Sequence, residues 1–292
     1  MANLRDIRDR ISSVKNTQQI TKAMKMVAAA RLRKAQDRAI ASRPYGQKLK
    51  EVMARLVNAS DSNNPLLQER AEVKNVLMIV IGSDRGLCGG FNTNLFKVVE
   101  QKIQADFQQY VDANTFKVLT IGKKAGDYFR KRRDVVKSHD GFFDNLNFDK
   151  AVKLMSSVIA EYENGEYDAV YLAFNEFKSV IAQNRIVDQL LPVPTEEGAD
   201  ASSEQAKDYI FEPGAAEILD ELVPKHLNMQ LWRALLESYA SEQGARMAAM
   251  DNATENAKEI IRELQLKYNQ ARQAAITTEI SEIVSGAEAL SQ

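Results

Sequence analysis

Apolar residues recur at Leu4, Ile7, Ile11 and Val14 in steps of three and four, the spacing of one face of an α-helix. Carried on in the same register, the positions become Gln18, Thr21 and Lys25 before returning to Ala28, Leu32, Ala35, Ala39, Leu49, Met53 and Leu56. A second stripe, Ile20, Met24 and Val27, lies on the adjacent face through the polar stretch, so the apolar seam is expected to shift around the helix there. No proline precedes Pro44 and no glycine precedes Gly46, which predicts a helix to about residue 58. Pro44 is expected to kink or interrupt it, because proline removes a backbone donor and crowds the preceding turn. At about 1.5 Å per residue such a helix approaches roughly 80 Å. That is too long for an ordinary globular core, so it needs a partner of comparable length.

The other end of the chain offers one. After Pro213 and Gly214 little stops a helix from Ala215 onward, although Pro224 could mark a restart. Leu227, Leu231 and Leu235 begin one face, and Ile261, Leu264, Tyr268, Ala271 and Ala275 continue in steps of three and four. Ile276, Ile280, Ile283, Ala287 and Leu290 form a second such set offset by one residue, so the seam is expected to shift here too. Small residues fill the middle: Ala240, Ala245, Ala248, Ala249, Ala253 and Ala257. One helix arrives and one leaves on either side of a folded insert, so an antiparallel coiled coil is the simplest packing. The second helix is longer by some 15–20 residues, and its end is expected to project unpaired.

Between the helices the period changes. Asp61, Ser62, Asn63, Asn64 and Pro65 form a polar linker. Strand–helix alternation follows: a strand at Val76–Ile81 and a helix around 94–107, then a strand at Phe116–Ile121 and a helix around 124–131. A helix around 148–162 leads to a strand at 169–174. Residues 181–191 alternate loosely, as an edge strand would, and the acidic stretch 196–207 reads as a mobile loop. The expected fold is a small doubly wound (Rossmann-like) α/β domain, with a parallel sheet and helices on both faces, inserted between paired terminal helices. The segments divide as residues 1–59, 60–212 and 213–292.

Composition narrows the function classes. The chain is 45% hydrophobic and 27% charged with a net charge of −1, and no apolar run approaches the roughly 20 residues of a membrane span. The N-terminus lacks the apolar stretch of a signal peptide. Cys88 stands alone, which excludes an intrachain disulfide, and with only His139 and His226 it leaves little for a zinc site. Charge is uneven: residues 1–59 hold fourteen cations against four carboxylates, an excess of ten. Such an arm could meet nucleic acid, anionic lipid or an acidic protein. Tyr45 is its only aromatic residue and its cations surround an apolar seam, which argues against a single-strand nucleic-acid binder.

The strongest local motif is Gly82-Ser83-Asp84-Arg85-Gly86-Leu87-Cys88-Gly89-Gly90, placed after a strand where a doubly wound sheet cradles phosphate. Its spacing is neither that of a P-loop nor Gly-x-Gly-x-x-Gly. The expected role is a tight turn with close backbone packing. No acid–base pair stands out among the carboxylates, and no pattern pairs Cys88 with a histidine. No cofactor is expected.

At Ile20-Thr21-Lys22-Ala23-Met24-Lys25-Met26-Val27-Ala28-Ala29 the chain resembles the γ subunit of F-type ATP synthases. Ser83-Asp84-Arg85-Gly86-Leu87-Cys88-Gly89-Gly90-Phe91-Asn92 resembles that family's turn after its first strand. Glu263-Leu264-Gln265-Leu266-Lys267-Tyr268-Asn269-Gln270-Ala271-Arg272-Gln273 resembles the lower part of its C-terminal helix. The run from Ile276 to Ala287 resembles its terminal signature. The four lie in the family's order, and the segment 101–198 is similar in layout more than in wording.

The resemblance implies a non-catalytic rotor shaft, driven by the membrane c ring, that turns inside a ring of α and β subunits and carries each β site through its conformations. It implies a foot beside ε and the c ring, and a peripheral position on the cytoplasmic face of a bacterial inner membrane or the matrix face of a mitochondrial one. By motif alignment it implies coupling contacts at Met24, Arg246, Gln273, Thr277 and Glu279, none of them a chemical catalyst. The cysteine-bearing insertion of redox-switched chloroplast members has no counterpart here. The competing readings are an independent coiled-coil scaffold and a nucleotide-binding α/β enzyme.

Overall fold

The computed structural model describes residues 4–59, 64–194, 212 and 214–290, so residues 196–207 lie outside it. The elements run α1 (Leu4–Ala59), β1 (Val76–Ile81), α2 (Phe91–Asp106), α3 (Gln108–Asp112), β2 (Phe116–Ile121), α4 (Lys123–Phe129), β3 (Val135–His139), α5 (Phe148–Glu163), β4 (Ala169–Phe177), β5 (Gln183–Leu191) and α6 (Ala215–Leu290). They form two compact units, Ala29–Ala245 and the pair Met1–Ala28 with Arg246–Gln292.

In the unit Ala29–Ala245 the strands form one sheet in the order β3-β2-β1-β4-β5. The first four are parallel and β5 runs antiparallel to β4 along one edge. All six residues of β1 are buried, and alternation sends them to two cores. Val76, Met78 and Val80 meet α2 and α4 through Leu95, Phe96, Val99, Ile103, Ala125 and Phe129. Leu77, Ile79 and Ile81 meet α5 through Leu154, Met155, Val158 and Tyr162. The second core also takes Met53 and Leu56 from α1 and, from α6, Leu219, Val223, Leu227, Leu231 and Leu235. The basal parts of both long helices are thus core helices of this unit, which explains why their apolar residues there are wide leucines and methionines.

A charged staple fixes the chain's entry into β1. The Asp168 carboxylate accepts from Arg70 at 2.6 Å and from the backbone N–H groups of Lys74 and Asn75 at 2.8 Å each. Arg70 also donates to the carbonyl of Tyr162 and lies over its ring. Burial works to raise the Asp168 pKa, but the two backbone donors and Arg70 outweigh it and hold the carboxyl below its usual value.

Three expectations need correction. The sheet has a fourth parallel strand, β3, absent from the sequence reading: only Val135 and Val136 are apolar and the strand lies at an edge. α1 runs unbroken through Pro44, and α6 through Pro224. Pro44 is exposed, so solvent can replace the donor it removes.

The third correction concerns the second unit, where α1 and α6 run antiparallel. Arg8 donates to the Tyr268 hydroxyl at 2.9 Å, the hydroxyls of Thr21 and Thr254 are 2.7 Å apart, and Lys25 meets Asp251 at 2.6 Å, so advancing along one helix means retreating along the other. The inward positions of α1 keep one register, Leu4, Ile7, Ile11, Val14, Gln18, Thr21, Lys25 and Ala28. The seam therefore does not shift: Ile20 and Val27 are 60% and 52% exposed. Turning the helix to bury them would expose the flanking rungs, and the polar rungs Thr21 and Lys25 already have partners on α6. On α6 the inward row is Met250, Thr254, Ala257, Ile261, Leu264, Tyr268, Ala271 and Ala275. The offset row of Ile276, Ile280 and Ile283 is exposed, Ile283 at 71%. α6 has 76 residues against 56 in α1.

Candidate functional site

All five positions implied as contacts fall in the helix pair, yet they do not gather into one site. Met24 is half-buried on α1, beside the Lys25–Asp251 bridge. Arg246 is buried, 8% exposed, at the start of the α6 portion of the pair. Gln273, Thr277 and Glu279 are exposed, near and past the last half-buried rung at Ala275. Following the register of the cross-helix pairs, Met24 and Gln273 are separated by roughly 30 Å along the rod. Gln273 and Thr277 share a face one turn apart, the Thr277 hydroxyl donating to the Gln273 carbonyl at 2.9 Å. Glu279 points about 200° around the helix from Thr277. Such spacing suits contacts spread along a rod and does not suit a single reaction centre.

The glycine-rich turn after β1 has a different use from phosphate binding. Its Asp84 carboxylate accepts from three backbone N–H groups, those of Lys123 at 3.0 Å, Gly141 at 2.8 Å and Phe143 at 2.8 Å. These belong to the segments that follow β2 and β3. A side-chain anion therefore takes the donors that a bound anion would need at the carboxyl ends of the strands. Asn92 completes the turn: it accepts from the Ser83 N–H at 3.0 Å and donates to the Ser83 hydroxyl at 2.7 Å and to the Cys88 sulfur at 3.4 Å. Cys88 is buried within this network. Gly122 sits at φ +94°, and a Cβ there would lie 2.5 Å from the Gly82 carbonyl oxygen, so the loops after β1 and β2 touch backbone to backbone.

The expectation of a tight turn thus matches the geometry, while the three distant amides held by Asp84 carry no signal in the sequence. The turn also holds a feature missed from sequence: Leu87 has φ +61° and is 66% exposed. An apolar side chain held left-handed at the surface costs roughly 1–2 kcal/mol of backbone energy. Among the described residues no group of three or more His, Cys, Asp or Glu could hold a metal ion. No described helix is long and apolar enough to cross a membrane.

A long antiparallel helix pair built from the two ends of the chain, with a five-stranded mixed sheet between them in sequence, defines a stalk-type protein. The sequence profile of the ATP synthase family matches residues 3–290. The ATP synthase gamma chains of Chlorobaculum parvum and Chlorobaculum tepidum are 53% and 54% identical over 294 aligned residues, covering the whole of both chains in each case. The chain belongs to the ATP synthase gamma-chain family. Among solved structures, the central stalk and c ring of the Tetrahymena thermophila mitochondrial ATP synthase includes a chain 26% identical, with a TM-score of 0.58 over 80% of this chain and 99% of that one. The rotor of the Euglena gracilis mitochondrial enzyme includes one with a TM-score of 0.66 over 94% and 98%; at 19% identity that likeness is one of fold.

Proposed function

We propose that the chain is the central stalk of a rotary, proton-driven ATP synthase, a non-catalytic subunit that couples rotation of a membrane c ring to successive conformations of catalytic sites on β subunits. The observation that carries this reading is identity above one half along the entire length to gamma chains. The physical fit lies in the helix pair, where cations and exposed apolar residues line the outside of a thin rod with one row of inward rungs on each helix. The α6 segment beyond Ala275 is the portion that enters the top of an α/β ring. Its exposed Ile276, Ile280, Ile283 and Val284 supply an apolar surface there. Met24, Gln273, Thr277 and Glu279 are contacts to that ring, strung along the rod to meet it at several heights, and Arg246 joins them through the 8% of its surface left exposed.

The division into residues 1–59, 60–212 and 213–292 belongs to the same reading, with the middle segment a doubly wound, Rossmann-like foot beside ε and the c ring. Four parallel strands with an antiparallel edge strand, covered by α2 and α4 on one face and α5 on the other, support that description. The protein is peripheral, on the cytoplasmic face of a bacterial membrane or the matrix face of a mitochondrial one. The test is reconstitution. Alone, the purified chain hydrolyses no ATP; mixed with α and β subunits it enters a complex whose ATPase activity depends on it. Failure of α and β to assemble around the chain, or unchanged activity when it is left out, refutes the proposal.

A further inference from the structure

Within the unit Ala29–Ala245, a cavity of about 320 Å³ opens beside α1. Its walls are Arg31, Lys34, Ala35 and Arg38 of α1, residues 143–146 of the loop after β3, and Leu236 and Tyr239 of α6. The cavity joins a cationic rim to an apolar floor. Arg31, Lys34 and Arg38 stand at spacings of three and four, so they share one helix face over about 10 Å. Phe143 and Tyr239 stack in parallel at 5.7 Å to close the inner side. Ala35 and Leu236 are almost fully buried below them.

The charge here is unbalanced. Arg38 donates to the Leu146 carbonyl at 3.4 Å, and none of the described ion pairs engages Arg31 or Lys34. The single carboxylate in the wall, Asp144, is already paired with Arg85 at 3.4 Å. Asn145 adds an uncharged donor at the rim. Guanidinium forks bind phosphate oxygens in pairs, and an apolar floor that excludes water strengthens those contacts.

From this arrangement we propose that the cavity binds a linear polyphosphate group, a diphosphate or triphosphate, either free or attached to a nucleoside. Three cations along about 10 Å of helix match a chain of phosphates better than one monovalent anion, which would neutralise only one of them. The site adjoins the glycine-rich turn, through the Phe143 N–H to Asp84 and the Asp144–Arg85 pair, but does not use that turn's backbone donors, which Asp84 already fills. It does not depend on the stalk function.

The test uses the full chain without divalent metal, in equilibrium dialysis against tripolyphosphate, ATP and inorganic phosphate at matched ionic strength. Trp232, the only tryptophan, gives a second readout, because it lies one turn before Leu236 and packs edge-on against Phe148 at 5.7 Å. Saturable binding is expected, with tripolyphosphate at least about tenfold tighter than phosphate, as gaining further charge-assisted contacts implies. ATP equal to tripolyphosphate identifies the phosphate chain alone as the ligand; ATP tighter identifies a nucleotide. Arg31→Gln with Lys34→Gln should weaken binding about tenfold or more without loss of helix content, since both side chains are exposed. Arg33→Gln removes a similar charge from the opposite face of α1 and should leave affinity within about twofold. The proposal is overturned by an absence of saturation, by an equal effect of Arg33→Gln, or by saturation with an acidic peptide alone.

Discussion

Replacing Asp168 with asparagine tests whether the entry of the chain into β1 is held by charge. Asparagine keeps the shape but offers one acceptor oxygen where the carboxylate offers two. If that oxygen serves Lys74 and Asn75, the amide NH₂ faces the Arg70 guanidinium, donor against donor. If it serves Arg70, the two backbone donors are abandoned. The Asp168 and Arg70 side chains are 11% and 28% exposed. Breaking a well-buried pair costs about 3–5 kcal/mol. Here Arg70 keeps the Tyr162 carbonyl and ring, which moderates the loss to about 2–3 kcal/mol. Urea unfolding followed by Trp232 fluorescence should show a midpoint lower by roughly 1 M at pH 7. The sign with pH follows from the lowered carboxyl pKa. Its stabilisation is complete above the unfolded-state value near 4 and is lost as pH falls through the lower folded-state value. The gap between wild type and Asp168→Asn should therefore narrow at pH 3 and below. A loss under about 1 kcal/mol at pH 7, or a gap that stays constant down to pH 2, refutes the argument.

Two further substitutions probe the turn and the rod. Gly122→Ala places a Cβ against the Gly82 carbonyl at a positive φ and should cost about 3 kcal/mol or more, read as a lower thermal midpoint of the Trp232 signal. The double change Gln273→Ala, Thr277→Ala removes two exposed polar groups from a helix face, and alanine's helix preference should leave helix content unchanged or raised. ATPase activity of the reconstituted complex should fall; equal loss of circular dichroism at 222 nm would assign the two residues to folding instead.

How much could be read in advance depended on how local the cause was. β1 and β2 were legible to the residue: β1 is a six-residue apolar run, β2 is apolar apart from Lys117 and Thr120, and their shortness and polar or glycine boundaries fit strands better than helices. β3 was not, because an edge strand needs little apolar content and takes its place from pairing with β2. The long helices were legible from their period, but their phase was not. Two apolar rows competed on each, and the partner helix selected the row containing Gln18, Thr21 and Lys25. The exposure of Thr277 and Glu279 follows from the length difference between the helices, which the sequence contained, and that of Gln273 from its outward place between the inward Ala271 and Ala275. The burial of Arg246 and the role of Asp84 depend on residues far along the chain, and nothing near them announces either.

The polar rungs of the helix pair bear on its mechanics. Apolar packing is non-directional, so two smooth alanine-lined helices could creep past each other under load with little change in buried area. The Thr21–Thr254 hydroxyl pair and the Lys25–Asp251 bridge are short and directional. A slide of one residue along either helix would part both at once, and the next registers offer Ala253 or Glu255 in place of Thr254. A band of bonds about one turn high thus acts as a keyway, resisting axial shear where the apolar rungs resist only separation. Twist applied to one helix is then handed to the other with little backlash.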